Sequence, residues 1–153
     1  MAIALADILN ERLVVPDLKS RRMNNAVRES IDVLTTTEKL REPEQFFEQV
    51  ISREQASSTL AENGIAFPHA RTDLVDEIAL VVGRSRAGIP WNAEGARAYL
   101  IFLVAVPRQL VNDYLVVVGK LARITKDEQR RKALLNATSA AEIVATLLEA
   151  PSL

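Results

Sequence analysis

The alternation of apolar and polar residues predicts two helices in the first third of the chain. From residue 23 onward, apolar side chains recur at the three-and-four spacing of one helical face. They are Met23, Ala26, Val27, Ile31 and Leu34. A second helix is expected to begin near Pro43, because proline is favoured in the first turn of a helix. Its inward-facing residues are Phe46, Phe47, Val50 and Ile51.

In the middle of the chain the pattern changes to short apolar runs bounded by glycine or proline. We predict strands at residues 64–67, 77–83 and 97–106. The last two runs are too continuous for strands with one face in water, so we expect both of their faces to be covered. The segment RSRAGIPWNAEG, residues 84–95, is rich in turn-forming residues and is interpreted as a connection.

Helical spacing returns in the last third of the chain. One long helix is expected to bury Tyr114, Leu115, Val118, Leu121, Ala122 and Thr125. A short helix over 127–136 and a final helix with Ile143, Val144, Leu147 and Leu148 complete the chain. Ser139 is expected to cap the final helix, with Glu142 three residues later as in a capping box. This order of elements predicts a single α/β domain over residues 1–153, a mixed β-sheet of about five strands flanked by helices on both faces.

Composition limits the functions open to such a domain. Of the 153 residues, 48% are hydrophobic and 25% are charged, as in ordinary globular proteins with a substantial core. The formal net charge of −1 does not favour nucleic-acid binding. With no cysteine and one histidine, the chain is not expected to form disulfides, use thiolate chemistry or hold a metal. No organic cofactor is expected either.

We expect a cytoplasmic protein that does not insert into a membrane. The absence of cysteine fits a reducing compartment. The first residues carry acids and lack the basic region that precedes the apolar core of a signal peptide. The longest unbroken apolar run, residues 99–106, is far shorter than the ~20 residues that span a bilayer.

His69 is the main candidate for chemistry. It follows an apolar run and Pro68, at a point where a strand is expected to leave the sheet, and such strand ends often carry ligand chemistry. A neutral imidazole keeps one nitrogen lone pair and can act as nucleophile, base or ligand. On position alone, a structural histidine bonded to a backbone carbonyl is equally open. No G-x-S-x-G motif is present, and residues 83–88 lack the lysine of a phosphate loop.

The segment SREQASSTLAENGIAFPHART, residues 52–72, contains a longer motif around this histidine. Its parts are Arg53–Glu54, Ser58–Thr59, Gly64, the triplet 65–67 and the triplet 68–70. In residue types and spacing it resembles the active-site signature of fructose/mannitol-type (type 2) IIA domains. These belong to the bacterial phosphoenolpyruvate:sugar phosphotransferase system and include nitrogen-regulatory IIA proteins. The similarity extends from the opening LADIL to the closing helices.

The resemblance implies a phosphocarrier, a transferase component of that system. His69 would accept a phosphoryl group from the histidine phosphocarrier protein and pass it to a IIB domain or hold it as a regulatory mark. Arg53 would lie near the phosphoryl group, where a guanidinium offers permanent charge and a rigid set of donors. Arg71 is a second candidate, since alternation along an extended segment aims it to the side of His69. The hydroxyls of Ser58 and Thr59 would either donate to phosphate or cap a turn.

One position departs from the family pattern. Many members have a second histidine near the start of the helix after the last core strand, and Tyr114 occupies that position here. A phenol can donate one hydrogen bond to a phosphoryl oxygen but carries no positive charge near pH 7. We therefore expect slower transfer or a shorter-lived phosphohistidine.

Two other functions stay open from the sequence. One is a regulatory binding module that recognises a transporter, kinase or channel independently of phosphorylation, which Tyr114 favours. The other is a cytosolic domain of an anion or amino-acid transporter, since IIA-like modules also occur fused behind permeases. A chain that begins at Met1 favours a separate protein over this last alternative. The sequence names no sugar and no oligomeric state.

Overall fold

A computed structural model describes residues 3–149 as a single α/β domain. The strands are β1 (Val14–Val15), β2 (Ile65–Ala66), β3 (His69–Thr72), β4 (Ala79–Pro90) and β5 (Arg97–Pro107). The helices are α1 (Met23–Thr35), α2 (Pro43–Ala56), α3 (Val111–Lys126), α4 (Glu128–Asn136) and α5 (Ala140–Leu148). Two short 3₁₀ turns, Leu5–Asp7 and Glu11–Leu13, precede β1.

The five strands form one mixed sheet. Its order is β1-β4-β5-β2, and β3 also pairs with β5, further along that strand than β2 does. β4 and β5 are antiparallel, β1 is parallel to β4, and both β2 and β3 run parallel to β5. Because β2 and β3 occupy the side of β5 away from β4, they form one interrupted edge strand. The predicted mixed sheet is confirmed.

Helices cover the sheet on both faces, as predicted. One apolar cluster joins the sheet to α1 and α2 through residues such as Ile31 and Phe46. The other joins it to α3, α4 and α5 through residues such as Leu121. Along β5, Leu103 faces the first cluster and Phe102 the second. A strand that is buried on both faces needs apolar residues at every position, which explains the continuous apolar sequence of β5.

The predicted helix boundaries are largely confirmed. α1 begins at Met23 and α2 at Pro43, and the side chain of Ser139 accepts the Glu142 N–H at 3.2 Å at the start of α5. The expected capping box is only half formed. The carboxylate of Glu142 accepts the backbone N–H of Thr138 at 2.8 Å, one residue before the position that a capping box uses.

The interpretation of residues 84–95 as a connection was wrong over its first half. β4 continues to Pro90, and the reversal that leads to β5 is closed by a bond from the Trp91 N–H to the Ala96 carbonyl at 2.8 Å. The register with β5 shifts between Arg84 and Ile89, which marks a β-bulge. Gly88 has φ +81° within this bulge. The glycine and polar residues that suggested a turn therefore serve a bulge inside a strand.

The predicted buried face of α3 was also partly wrong. Its buried residues are Val117, Leu121, Ile124 and Thr125, whereas Leu115 is 59% exposed. The run of apolar residues at 115–118 puts apolar side chains on every side of the helix, so its spacing does not determine the phase. On α5, Ile143 and Leu147 are buried, whereas Leu148 is 41% exposed.

Candidate active site

The site lies at the interruption of the edge strand. β2 ends with Ala66 opposite Ile101, and β3 begins with His69 opposite Val104. Between them, the Pro68 carbonyl accepts the Val104 N–H at 3.0 Å, which brings the chain back into the sheet. The strand end expected before His69 is present at Ala66, but pairing with β5 resumes at His69, which was not expected. The strand is only interrupted, and His69 is the first residue after the interruption.

The imidazole of His69 is oriented by the backbone. Its Nδ1 lies 2.9 Å from the carbonyl oxygen of Phe67. Because a carbonyl can only accept, Nδ1 carries the ring proton and Nε2 keeps its lone pair in the neutral ring. The sequence left open whether His69 is a structural histidine bonded to a backbone carbonyl or a reactive one. The bond to a carbonyl is present, and it involves only Nδ1, so it does not occupy Nε2.

The surroundings favour the neutral imidazole. Partial burial lowers the pKa of His69 from its ordinary value of 6.5, and the bond to the Phe67 carbonyl opposes this. The positive charge of Arg53 lowers the pKa of His69 further, while the charge of Glu54 raises it. The net direction is downward, so Nε2 is unprotonated near pH 7.

Arg53 and His69 share one pocket at the sheet edge. The last turns of α2 contribute Gln49, Ser52 and Arg53 to its lining, and β3 contributes residues 69–71. The Arg53 Nη1 donates to the Ser57 carbonyl at 2.8 Å, at the C-terminal end of α2. That bond anchors the guanidinium where its charge acts on the imidazole.

Arg71 lines the same pocket from β3. Its exposed side chain follows His69 by two residues, so the two side chains lie on the same face of the strand. The Nη2 of Arg71 is 3.4 Å from the carbonyl oxygen of Arg108, a long contact that leaves the guanidinium at the pocket rim. The structure thus brings both predicted arginines to the histidine.

Tyr114, in the first turn of α3, lies against His69. The ring centroids are 4.9 Å apart with an interplanar angle of 32°, and the Tyr114 Oη is 3.3 Å from His69 Nδ1. Nδ1 has a single proton, which it donates to the Phe67 carbonyl. The phenol oxygen of Tyr114 can therefore only be a second, weaker acceptor of the same N–H. Burial raises the pKa of Tyr114, which keeps the phenol protonated and its own hydrogen available near pH 7.

The two hydroxyl residues of the motif make local bonds. Ser58 Oγ accepts the Leu60 N–H at 3.2 Å in an exposed turn. Thr59 Oγ1 donates to the carboxylate of Glu54 at 2.9 Å and accepts the Phe67 N–H at 3.0 Å. The two roles expected for these hydroxyls were donation to phosphate and capping of a turn. The bonds present are of the second kind, because they cap a turn and connect backbone segments.

Glu54, which follows Arg53 in the motif, lies in a buried polar environment. It is only 4% exposed, and its Oε2 accepts the Trp91 Nε1–H at 3.0 Å as well as bonds from Thr59. A signal for this burial exists in the sequence. Glu54 continues the four-residue spacing of Phe46 and Val50, which is the buried row of α2.

Comparison with known proteins identifies the class of this domain. The family model described as "Phosphoenolpyruvate-dependent sugar phosphotransferase system, EIIA 2" matches residues 7–150. The match covers nearly the whole chain, and the motif around His69 and the mixed sheet agree with it. The chain belongs to this family.

Individual relatives agree with this assignment. The PTS system fructose-specific EIIABC component of Bacillus subtilis (strain 168) is 30% identical over 141 residues, which cover 92% of this chain and 22% of the relative. The chain thus spans about a fifth of the length of that relative. The PTS system fructose-specific EIIA component of Haloferax volcanii is 28% identical over 125 residues, 81% of each chain.

Among solved structures, the nitrogen regulatory protein IIA-Ntr from Neisseria meningitidis has a TM-score of 0.84 and 28% sequence identity. The alignment covers 94% of this chain and 98% of that chain. No helix within residues 3–149 is long and apolar enough to cross a membrane. No three histidine, aspartate or glutamate side chains in the same described part of the chain converge as metal ligands.

Proposed function

We propose that the chain is a phosphocarrier in which His69 accepts a phosphoryl group from the histidine phosphocarrier protein and passes it to a IIB partner. The observation that carries the proposal is the 2.9 Å contact between His69 Nδ1 and the Phe67 carbonyl. It leaves the Nε2 lone pair as the nucleophile, in a pocket that also contains Arg53 and Arg71. Membership of the EIIA 2 family supports the same reaction.

The acceptance step forms one bond and breaks one. The Nε2 lone pair of His69 attacks phosphorus as the phosphorus–nitrogen bond of the donor phosphohistidine breaks, and the donor imidazole keeps that electron pair. Nδ1 stays protonated throughout, so the phosphorylated ring of His69 gains a positive charge. The Phe67 carbonyl then accepts a charge-assisted hydrogen bond, which is stronger than the bond in the neutral ring. Transfer to a IIB partner reverses these changes.

Two arginines supply the positive charge that the transferring phosphoryl group needs. Negative charge spreads over the phosphoryl oxygens in the transition state, so catalysis depends on alignment and on charge stabilisation. Arg53 is the principal candidate, because its charge already acts on the ring of His69. Arg71 is the second, at the rim of the same pocket. The hydroxyls of Ser58 and Thr59 contribute indirectly, through the turn and the backbone that precede His69.

Tyr114 modifies this chemistry. Its phenol hydrogen can be donated to a phosphoryl oxygen, but it adds no positive charge near pH 7. The site therefore contains one imidazole and one phenol where many relatives have two imidazoles. We expect a phosphohistidine that is less stabilised than one beside a second cationic ring.

The partners are proteins that carry phosphorylated side chains, and the docking surface surrounds His69. Leu115, the residue after Tyr114 on α3, is 59% exposed and offers an apolar contact next to the site. We place the protein in the cytoplasm as one IIA unit over residues 1–153. The fructose-specific relatives favour a role in sugar uptake.

A regulatory role is the second candidate. The nitrogen regulatory protein IIA-Ntr covers almost the same length as this chain with a TM-score of 0.84, which favours it. In that role, phosphorylation of His69 would act as a signal to a regulated transporter or kinase. A module that binds its partner regardless of phosphorylation would bind equally well after His69→Ala, so partner pull-down with that variant separates the two.

Phosphorylation by the purified system tests the main proposal. The protein is incubated with phosphoenolpyruvate, the general phosphotransferase enzyme and the histidine phosphocarrier protein, and the mass is then measured. We expect one phosphoryl adduct that is labile in acid and stable in alkali, absent from His69→Ala. Wild-type protein that gains no adduct at high carrier concentration contradicts the proposal.

A further inference from the structure

A hydrogen-bond network that is buried at one end and partly buried at the other connects the core to the imidazole of His69. Trp91 Nε1–H donates to the carboxylate of Glu54 at 3.0 Å, and Thr59 Oγ1–H donates to the same carboxylate at 2.9 Å. Thr59 Oγ1 in turn accepts the Phe67 N–H at 3.0 Å. The carbonyl of Phe67 then accepts the Nδ1–H of His69 at 2.9 Å. Each contact has the length of a normal hydrogen bond.

The network includes Phe67, which lies at the interruption of the edge strand and has no ladder partner on β5. Pairing of β2 with β5 ends at Ala66 and pairing of β3 resumes at His69, so Phe67 lies outside both ladders. A backbone N–H without a ladder partner needs another acceptor when it is shielded from water. Thr59 provides that acceptor. The orientation of the Phe67 residue, and of its carbonyl, therefore depends on Thr59.

Glu54 holds Thr59 in place from inside the protein. Its carboxylate is 4% exposed and accepts the Thr59 N–H at 2.6 Å in addition to the Thr59 hydroxyl. Burying a carboxylate costs free energy unless donors satisfy it, and the side chains before it in the buried row of α2 are apolar. With both oxygens accepting, the carboxylate forces the Thr59 hydroxyl to donate inward and to present its lone pair to Phe67.

We propose that Glu54 and Thr59 are positioning residues for phosphoryl acceptance, because they orient the Phe67 carbonyl that keeps the proton of His69 on Nδ1. This inference rests on the proposed function for its consequence. Neither residue needs to touch the phosphoryl group. Trp91 supports the same carboxylate from the start of the turn between β4 and β5, and its effect is expected to be smaller.

The first experiment measures the tautomer of His69. It is the only histidine in the chain, so the ring nitrogens give unambiguous signals in long-range ¹H–¹⁵N NMR spectra. In wild-type protein we expect a single species protonated at Nδ1. In Thr59→Val, which has the shape of threonine without its hydroxyl, we expect a mixture with the form protonated at Nε2 and faster hydrogen exchange of the Phe67 amide. Thr59→Ser keeps the hydroxyl and is the matched control, expected to retain the wild-type tautomer.

The second experiment measures phosphorylation with phosphoramidate, a small donor that needs no protein docking. At saturating phosphoramidate, we expect the rate constant for phosphorylation of His69 to fall by about 2- to 10-fold in Thr59→Val and in Glu54→Gln, because each variant loses one hydrogen bond. The phosphoramidate concentration that gives half of the maximal rate should change little. Thr59→Ser should stay close to wild type. Trp91→Phe, which keeps an aromatic ring and loses only the N–H donor, should show the same changes to a smaller degree.

The outcomes separate a positioning role from a merely structural one. The inference would be overturned if Thr59→Val and Glu54→Gln lowered the thermal stability but left the tautomer of His69 and its rate constant of phosphorylation unchanged. If Thr59→Val does not fold, the same criterion applies to Glu54→Gln and Trp91→Phe. Wild-type protein without phosphohistidine from any donor contradicts the proposed function instead. The tautomer measurement uses no donor, so the two failures are distinguishable.

Discussion

The phenol ring of Tyr114 lies 4.9 Å from the imidazole of His69, and its hydroxyl oxygen is 3.3 Å from Nδ1. The tyrosine thus lies on the side of the ring that already donates to Phe67, while Nε2 keeps its lone pair. If His69 is phosphorylated, as we propose, the phenol offers the site one neutral hydrogen bond and an apolar ring face. This relationship leads to the first prediction.

Replacing Tyr114 with histidine should lengthen the life of the phosphohistidine. A protonated imidazole donates a charge-assisted bond, worth about 1.5–3 kcal/mol, where the phenol donates a neutral one worth about 1 kcal/mol. We expect Tyr114→His to slow hydrolysis about 2- to 30-fold near pH 6, since each 1.4 kcal/mol is about a factor of ten. The half-life of the isolated phosphoprotein measures this. Tyr114→Phe is the control that keeps the ring, and equal half-lives in all three proteins would exclude Tyr114 from the site.

Arg53 should be required for its charge and its shape. We expect Arg53→Ala to slow phosphorylation by about tenfold or more, because a charge-assisted contact to phosphate is lost. Arg53→Lys should recover part of the rate, since it keeps the charge without the planar set of donors. Initial rates with the histidine phosphocarrier protein as donor measure both. Rates that agree in wild type and both variants would remove Arg53 from the proposed mechanism.

The imidazole of His69 should titrate below 6.5. Its pKa is lowered mainly by burial, so the ring stays neutral, and reactive at Nε2, down to lower pH than a free histidine. The midpoint at which the phosphorylation rate falls with decreasing pH should therefore lie below that of a free histidine. Arg53→Gln removes a positive charge and should raise the pKa of His69. NMR titration of the single histidine measures both, and a wild-type midpoint at or above 6.5 would contradict the prediction.

Leu115 should matter for protein donors and not for small ones. If partners dock around His69, Leu115→Ser removes apolar contact area and raises KM for the phosphorylated carrier about 3- to 10-fold. Its KM for phosphoramidate should be unchanged. Leu148→Ser is the matched control, because Leu148 is 41% exposed on α5, whereas Leu115 directly follows Tyr114 on α3. An equal KM for the carrier in both variants would place docking elsewhere.

Gly64, the motif glycine, should be intolerant of any side chain. Its φ is +80°, and an added Cβ would come within 2.8 Å of the Tyr99 ring. We expect Gly64→Ala to lower the free energy of unfolding by about 2–4 kcal/mol, the sum of left-handed strain and steric overlap. Gly95→Ala is the control, because Gly95 has φ +77° with nothing within 4 Å of the added Cβ. It should lose only about 1–2 kcal/mol in urea unfolding. Equal losses would show that Tyr99 yields without cost.

The sequence predicted those elements whose pattern is local. The boundaries of α1 and α2 follow from apolar spacing and from Pro43, and the cover on both faces of β5 follows from its continuous apolar run. It failed where local composition has two explanations. Glycine and polar residues in 84–90 fit a turn or a bulge, and only pairing with β5 makes them a bulge. The two residues of β1 carry too little pattern to predict at all.

By itself, the sequence determined which residues could serve the site. One histidine, an arginine sixteen residues before it and a phenol on a later helix are readable directly from the chain. Only the tertiary structure decided how they are placed relative to one another. The Phe67 carbonyl lies 2.9 Å from His69 Nδ1, and the buried carboxylate of Glu54 accepts the Trp91 Nε1–H at 3.0 Å. The bond from Trp91 to Glu54 joins residues 37 apart, and Tyr114 lies 45 residues after His69, so no local pattern of residue types contains these contacts.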